Sequence, residues 1–121
     1  MKKILLVDDE EELINIMASV FQDEGFSVKK MMSAEEALNS YASYRPDLVI
    51  SDVKMEPMDG FMMYEKLKAI NGQCVPFIFL SALDDRVGQQ RAKSLGATAY
   101  VSKPFDVDEL VEIVKRVLPQ A

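Results

Sequence analysis

The sequence predicts an α/β fold in which parallel strands alternate with covering helices. Three observations support it. Four apolar runs, Ile4-Leu5-Leu6-Val7, Leu48-Val49-Ile50, Phe77-Ile78-Phe79-Leu80 and Ala99-Tyr100-Val101, are continuous rather than alternating, the pattern of strands buried on both faces. Stretches of helical periodicity separate them. Each run also ends at or just before a residue with chemical capacity: Asp8-Asp9, Asp52, Ser81 and Lys103-Pro104.

After the first strand, Leu13, Ile14, Met17, Val20 and Phe21 recur at helical spacing, and Gly25 closes the helix as a C-terminal cap. Residues Phe26 to Lys30 form a short second strand. Ser33 caps the next helix with Glu36 three residues on, the spacing of a capping box. Ala34, Ala37, Leu38 and Tyr41 make that helix's apolar face, and Arg45-Pro46 ends it. The third strand covers Asp47 to Ser51. A loop with Pro57 leads to a helix presenting Phe61, Tyr64 and Leu67, broken at Asn71-Gly72. Val75 to Leu80 is the fourth strand, Asp84 to Leu95 a helix stopped by Gly96, and Thr98 to Val101 the fifth strand. Val107, Leu110, Val111, Val114 and Val117 line the last helix, capped near Asp106. Five βα units result. Periodicity leaves the order of the strands open.

The fourth helix stands apart. It offers little apolar surface beyond Val87, Ala92 and Leu95, and Gly88 costs about 1 kcal/mol of helix propensity relative to alanine. Weak burial marks an element that a switch can move, and equally a solvated surface helix.

At 121 residues, 1–121 reads as a single domain with room for its own core. A net charge of -6 without a Lys/Arg run argues against a nucleic-acid surface. No apolar run approaches the roughly 20 residues of a membrane span, and the four-residue run after Met1-Lys2-Lys3 is too short for a signal-peptide core. Cys74 is alone, which precludes an internal disulfide and fits a reducing, cytoplasmic setting. With no histidine, the chain holds neither a histidine metal site nor a phosphohistidine of its own.

In an open parallel sheet, chemistry collects beyond the carboxyl ends of the strands where strand order reverses. Asp8, Asp9, Asp52, Ser81 and Lys103 therefore converge. Singly, each has a plain structural reading: helix capping, turn formation, a solvated cation. Together they suit a divalent cation, an aspartyl nucleophile and a phosphoryl group. Crowded carboxylates need a cation or a proton to coexist, and Mg²⁺ takes oxygen ligands while keeping open positions. Asp52 can then attack phosphorus, with Lys103 and the Ser81 hydroxyl stabilising the transferred charge.

Over essentially its whole length the chain resembles a response-regulator receiver domain of two-component signal transduction. The resemblance rests on Ile4-Leu5-Leu6-Val7-Asp8-Asp9-Glu10, Arg45-Pro46-Asp47-Leu48-Val49-Ile50-Ser51-Asp52, Met55, Met58-Asp59-Gly60, Ser81-Ala82, Leu95-Gly96-Ala97 and Lys103-Pro104-Phe105. It implies a flavodoxin-like, doubly wound, five-stranded parallel sheet of order 2-1-3-4-5 with five helices. It further implies a phosphoacceptor at Asp52 and Mg²⁺ ligation by Asp9, Asp52 and the Lys54 backbone carbonyl, with Asp8 acting largely through water. Lys103 would pair with the phosphoryl group, Ser81 and Tyr100 would be the switch residues, and the Lys103-Pro104 bond would be cis.

By the same resemblance the function is a phosphorylation-activated switch, not a free-substrate enzyme, fed by a partner histidine kinase, a phosphotransfer protein or a small phosphoryl donor. The first helix and the Pro104-Phe105 loop would meet that partner, and the fourth helix, fifth strand and fifth helix would carry the output to an effector or a homodimer. The chain reads either as a stand-alone regulator or as the N-terminal receiver of a longer one. Two departures and one further pair of positions stand out. Glu56 occupies a place where family members often have proline, adding a carboxylate that could weaken docking of an anionic donor. Ala97-Thr98-Ala99 lacks the acidic pair of one dimerising subgroup. Lys54 and Leu83, two residues past Asp52 and Ser81, would shield the acyl phosphate from water. Two other classes compete. A Mg²⁺-dependent aspartyl phosphohydrolase usually spaces its two aspartates one residue apart, whereas Asp8 and Asp9 are adjacent. A flavin or nucleotide module needs a phosphate cradle, and the first βα loop has no glycine-rich run.

Overall fold

Five strands pair in parallel: β1 (Lys3–Val7), β2 (Ser27–Met31), β3 (Leu48–Asp52), β4 (Phe77–Ser81) and β5 (Ala99–Ser102). The helices are α1 (Glu11–Asp23), α2 (Ala34–Tyr44), α3 (Gly60–Asn71), α4 (Arg86–Leu95) and α5 (Val107–Val117). The computed structural model describes residues 1–72, 74–81 and 86–118. Strand order is β2-β1-β3-β4-β5, as the resemblance implies.

The period-two geometry of a strand divides the core between the two faces of the sheet. Ile4, Leu6, Leu48, Ile50, Ile78 and Leu80 pack with Ile14, Met17 and Phe21 of α1 and Leu110, Val111 and Val114 of α5. Their neighbours Leu5, Val7, Val49, Phe77 and Phe79 face α2, α3 and α4 through Ala37, Tyr41, Phe61, Tyr64, Leu67 and Ala92. Both faces are thus covered, which explains why the central strands carry apolar side chains without alternation.

Helix termini follow the sequence signals closely. Gly25 and Gly72 adopt φ of 94° and 77° after α1 and α3, a region open to glycine. Asp59 Oδ1 and Asp106 Oδ1 accept from the N–H groups of Met62 and Asp108 at 2.8 and 2.9 Å. Ser33 Oγ accepts from Glu36 N–H as expected. Glu36 departs from the reciprocal pattern: its carboxylate accepts from Met32 N–H, one residue before the cap.

The limits of β2 to β5 move by one or two residues toward the carboxyl end, while β1 gains Lys3 at its start. Asp52 and Ser81 belong to the ladder, paired in register with Leu80 and Ser102. α4 begins at Arg86; the expected start at Asp84, together with Ala82 and Leu83, lies outside the described residues. Within α4, Gly88 and Ala92 are buried while Val87 is 74% exposed. The helix is tied to α3 through polar groups. Arg91 sits 4.7 Å above the Phe61 ring and 3.5 Å from Glu65, and Lys68 Nζ donates to the Leu95 carbonyl.

Candidate functional site

The chain leaves β1 and turns to β2 on one side, while β3 lies on its other side. This reversal of winding opens a crevice at the carboxyl ends of β1 and β3. Asp8 follows β1 and Asp52 ends β3, and both are buried, at 0% and 4% exposure. Lys103, just past β5, reaches into the same crevice. Its Nζ donates at 3.2 Å to each of three carboxylates: Asp8 Oδ2, Asp52 Oδ2 and Glu10 Oε1. An ammonium has three N–H donors, so all three are engaged.

Local backbone geometry holds these groups. Asp8 Oδ1 accepts from the N–H of Glu10 at 2.9 Å, which fixes the turn into α1. The Asp52 carbonyl accepts from Ser51 Oγ, itself fully buried. Beyond Asp52, Val53 N–H donates to the Leu80 carbonyl and Gly60 N–H returns to the Val53 carbonyl, closing the loop over residues 53–59. Lys103 N–H bonds the Ser81 carbonyl, so β5 and β4 set the height from which the lysine reaches inward.

Three carboxylates and one ammonium leave a formal excess of two negative charges, with Asp8 and Asp52 buried and Glu10 exposed. Burial pushes the Asp52 carboxyl up to about 6; Lys103 opposes this and Asp8 adds to it. Burial likewise raises Asp8, against the Glu10 N–H and the Lys103 charge. Burial alone would lower Lys103, but the Asp52 and Asp8 charges outweigh it and leave the ammonium more firmly protonated than usual.

The other expected residues lie around this centre. Asp9 is exposed and is not one of the three carboxylates whose oxygens lie mutually within 4.8 Å. It lines an open cleft of about 520 Å³ with Val53, Lys54, Met55, Glu56 and Asp59. Ser81 is half-buried at the end of β4, and Tyr100 is half-buried in β5, in register with Phe79 and packed against the α3-side core. The Lys103-Pro104 bond is cis. Pro104 and Phe105 border a second open groove, about 410 Å³, with Leu13, Glu10 and Lys103.

Glu10 is the residue whose place in the cluster sequence reasoning missed. Its signal was positional. It is the N-cap of α1, where Ser, Thr, Asp or Asn are favoured, yet its side chain makes no capping bond.

A hard divalent cation fits this donor set. One oxygen each from Asp8, Glu10 and Asp52 lie within 4.8 Å of one another. Asp52 Oδ1 is buried and has no hydrogen-bond partner among the described residues. A buried carboxylate oxygen left without a donor is costly unless something coordinates or modifies it.

Known proteins resemble this chain in sequence and in fold. The response regulator receiver domain profile matches residues 4–115. Sporulation initiation phosphotransferase F of Bacillus subtilis (strain 168) is 35% identical over 118 residues, covering 98% of this chain and 94% of that protein. The heme response regulator HssR of Staphylococcus aureus is 36% identical over 98% of this chain, which spans about half (52%) of HssR's length. Among solved structures, Vibrio cholerae chemotaxis protein CheY4 superposes with a TM-score of 0.90 at 31% identity, covering 98% of this chain and 99% of that one. The non-phosphorylated HemR receiver domain of Leptospira biflexa gives 0.91 at 28%, covering 100% and 97%.

Proposed function

This chain belongs to the response regulator receiver family, and from that premise we propose that it is a phosphorylation-activated signalling switch whose acceptor is Asp52. The observation that carries the reading is the buried Asp52 carboxylate, whose Oδ1 has no hydrogen-bond partner among the described residues, beside an ammonium that can neutralise an arriving phosphoryl group. An Asp52 oxygen attacks phosphorus, the donor's bond to phosphorus breaks with its electron pair staying on the leaving group, and an acyl phosphate remains. Lys103 balances the added charge. Ser81, at the end of the adjacent strand, supplies a hydroxyl to a phosphoryl oxygen, and Tyr100 turns inward as Ser81 moves.

Bound Mg²⁺ would supply charge neutralisation that lets the crowded carboxylates stay ionised while the phosphoryl group is received. Asp8, Asp9, Asp52 and the Lys54 carbonyl would hold it, as in the family; the proximity of Glu10 to Asp8 and Asp52 adds a further carboxylate within reach. The chain's own contribution is to bind, orient and partly dehydrate. It promotes its phosphorylation and dephosphorylation without turning over free substrate.

Having no histidine, the chain takes the phosphoryl group from a partner histidine kinase, a phosphotransfer protein or a small donor, in the cytoplasm. The groove formed by Leu13, Pro104 and Phe105 supports a partner contact beside the acceptor. Output through α4, β5 and α5 is consistent with the sparse apolar packing of α4. Lys54 is exposed at the rim of the Asp9 cleft, a position from which it can slow the hydrolytic water; Leu83, its expected counterpart, lies outside the described residues. The phosphohydrolase reading is not favoured, because the relatives are regulators and a phosphotransferase by name and the aspartates are adjacent.

The test is native mass spectrometry with Mg²⁺ and acetyl phosphate, comparing wild type with Asp52→Ala. Phosphoryl incorporation in wild type alone is expected, and the same spectrum reports subunit count. Incorporation in both proteins would remove Asp52 as the acceptor.

A further inference from the structure

We propose that Glu10 is a positioning residue: it parks the Lys103 ammonium before phosphorylation and is the contact released when a phosphoryl group arrives. The proposal rests on Asp52 being the acceptor and adds the step that frees its cation. Lys103 has three donors, and Asp8, Asp52 and Glu10 occupy all of them at 3.2 Å. A new bond to a phosphoryl oxygen therefore requires one of these contacts to be given up.

The three partners differ in how easily they let go. Asp8 is fully buried, and its second oxygen is committed to the Glu10 N–H, so water cannot readily take the ammonium's place there. Asp52 carries the incoming group and stays beside the lysine. Glu10 has a side chain that is 60% exposed, and water can replace the ammonium there.

Glu10 is also placed for this role at the expense of another. It holds the N-cap position of α1 but makes no capping bond; its carboxylate crosses instead to a lysine 93 residues away. It lines the groove of Leu13, Pro104 and Phe105 as well, so a docking partner would meet this carboxylate beside the acceptor pocket. Contact with a partner and release of the lysine would then occur at one residue.

Glu10→Gln and Glu10→Asp separate contact from charge. Glutamine keeps the length and removes the charge; aspartate keeps the charge and is one methylene too short to hold Nζ in the same place. Rate constants for phosphoryl incorporation from acetyl phosphate are measured at saturating Mg²⁺ by intact mass, with wild type and Asp52→Ala alongside. Both Glu10 variants are expected to be phosphorylated two- to five-fold faster than wild type, roughly the factor by which a half-exposed ion pair biases an equilibrium.

Three outcomes would overturn the proposal: Glu10→Asp matching wild type while Glu10→Gln is faster (rim charge alone acts), both variants matching wild type, or both being slower. Failure of wild type itself to incorporate phosphate would instead overturn the acceptor assignment, so the two readings fail separately.

Discussion

Gly60 lies so close to Asp52 that a Cβ at this position would overlap the Asp52 carbonyl oxygen, with Ser51 Oγ and Val53 Cα crowding it as well. The first residue of α3 thereby sets how tightly the loop over residues 53–59 folds back on the end of β3. Gly60→Ala tests whether this closeness matters. Alanine gains up to about 1 kcal/mol of helix propensity, but steric overlap with backbone costs about 1–3 kcal/mol or more. The overlap should win. A lower urea midpoint and slower phosphorylation of Asp52 are expected, and a variant as stable and as fast as wild type would show that the loop relaxes without cost.

Asp52 should also destabilise the metal-free protein at neutral pH. Burial raises its carboxyl from 3.8 to about 6, so the folded chain holds this proton more tightly than the unfolded chain does. Stability from this group is therefore highest below about pH 4, falls as pH rises toward 6, and stays low above that. Two pK units correspond to about 3 kcal/mol as an order of magnitude. Asp52→Asn removes the charge, so in EDTA it should raise unfolding free energy at pH 7.5 by about 1–3 kcal/mol and by much less at pH 4.5. Equal effects at both pH values would rule this out.

How far the sequence foretold this site depends on which contacts are local. The strands were legible because burial on both faces leaves a continuous apolar signature, as in Phe77-Ile78-Phe79-Leu80. Their ends were not, because Asp52 and Ser81 stay in the ladder through pairing with Leu80 and Ser102, which no property of their own side chains announces. Asp8 and Lys103 each follow a strand and Asp52 ends one, so the α/β architecture itself predicted their meeting. The Glu10 contact depends on a lysine 93 residues distant and on the height at which β5 delivers it; local propensity would have assigned Glu10 only to the helix start. Strand order came from family resemblance, since periodicity fixes faces and not neighbours.

Arg91 bridges α4 to α3 by lying over Phe61 and pairing with Glu65. Phe61 in turn packs on Phe79, two residues before Ser81. A cation–π contact and an exposed ion pair are each worth up to about 1 kcal/mol. Arg91→Ala should therefore lower global stability by less than about 2 kcal/mol while accelerating amide exchange in residues 86–95 by several-fold. Unchanged exchange in α4 would mean that its few buried residues, Gly88 and Ala92, hold the helix without the arginine.

Lys103 supplies the only positive charge in contact with the three carboxylates of the crevice, among the described residues. It is 11% exposed, so its removal is felt nearly in full: Asp8 and Asp52 would remain buried and mutually repelling. Removing one partner of a buried ionic group typically costs 3–5 kcal/mol, whereas exposed pairs cost little. The exposed share carried by Glu10 reduces that figure, and partial neutralisation of Asp52 by protonation reduces it further, since its carboxyl already titrates near 6. Lys103→Met preserves the apolar stem and should cost about 2–4 kcal/mol in EDTA at pH 7.5. The loss should shrink at pH 5, where Asp52 takes up a proton, and shrink again when millimolar Mg²⁺ replaces the missing positive charge. Urea denaturation under the three conditions distinguishes the causes. A deficit that ignores both pH and Mg²⁺ would mean that Lys103 stabilises the fold through its stem alone, and that the charge balance inferred for the crevice is wrong.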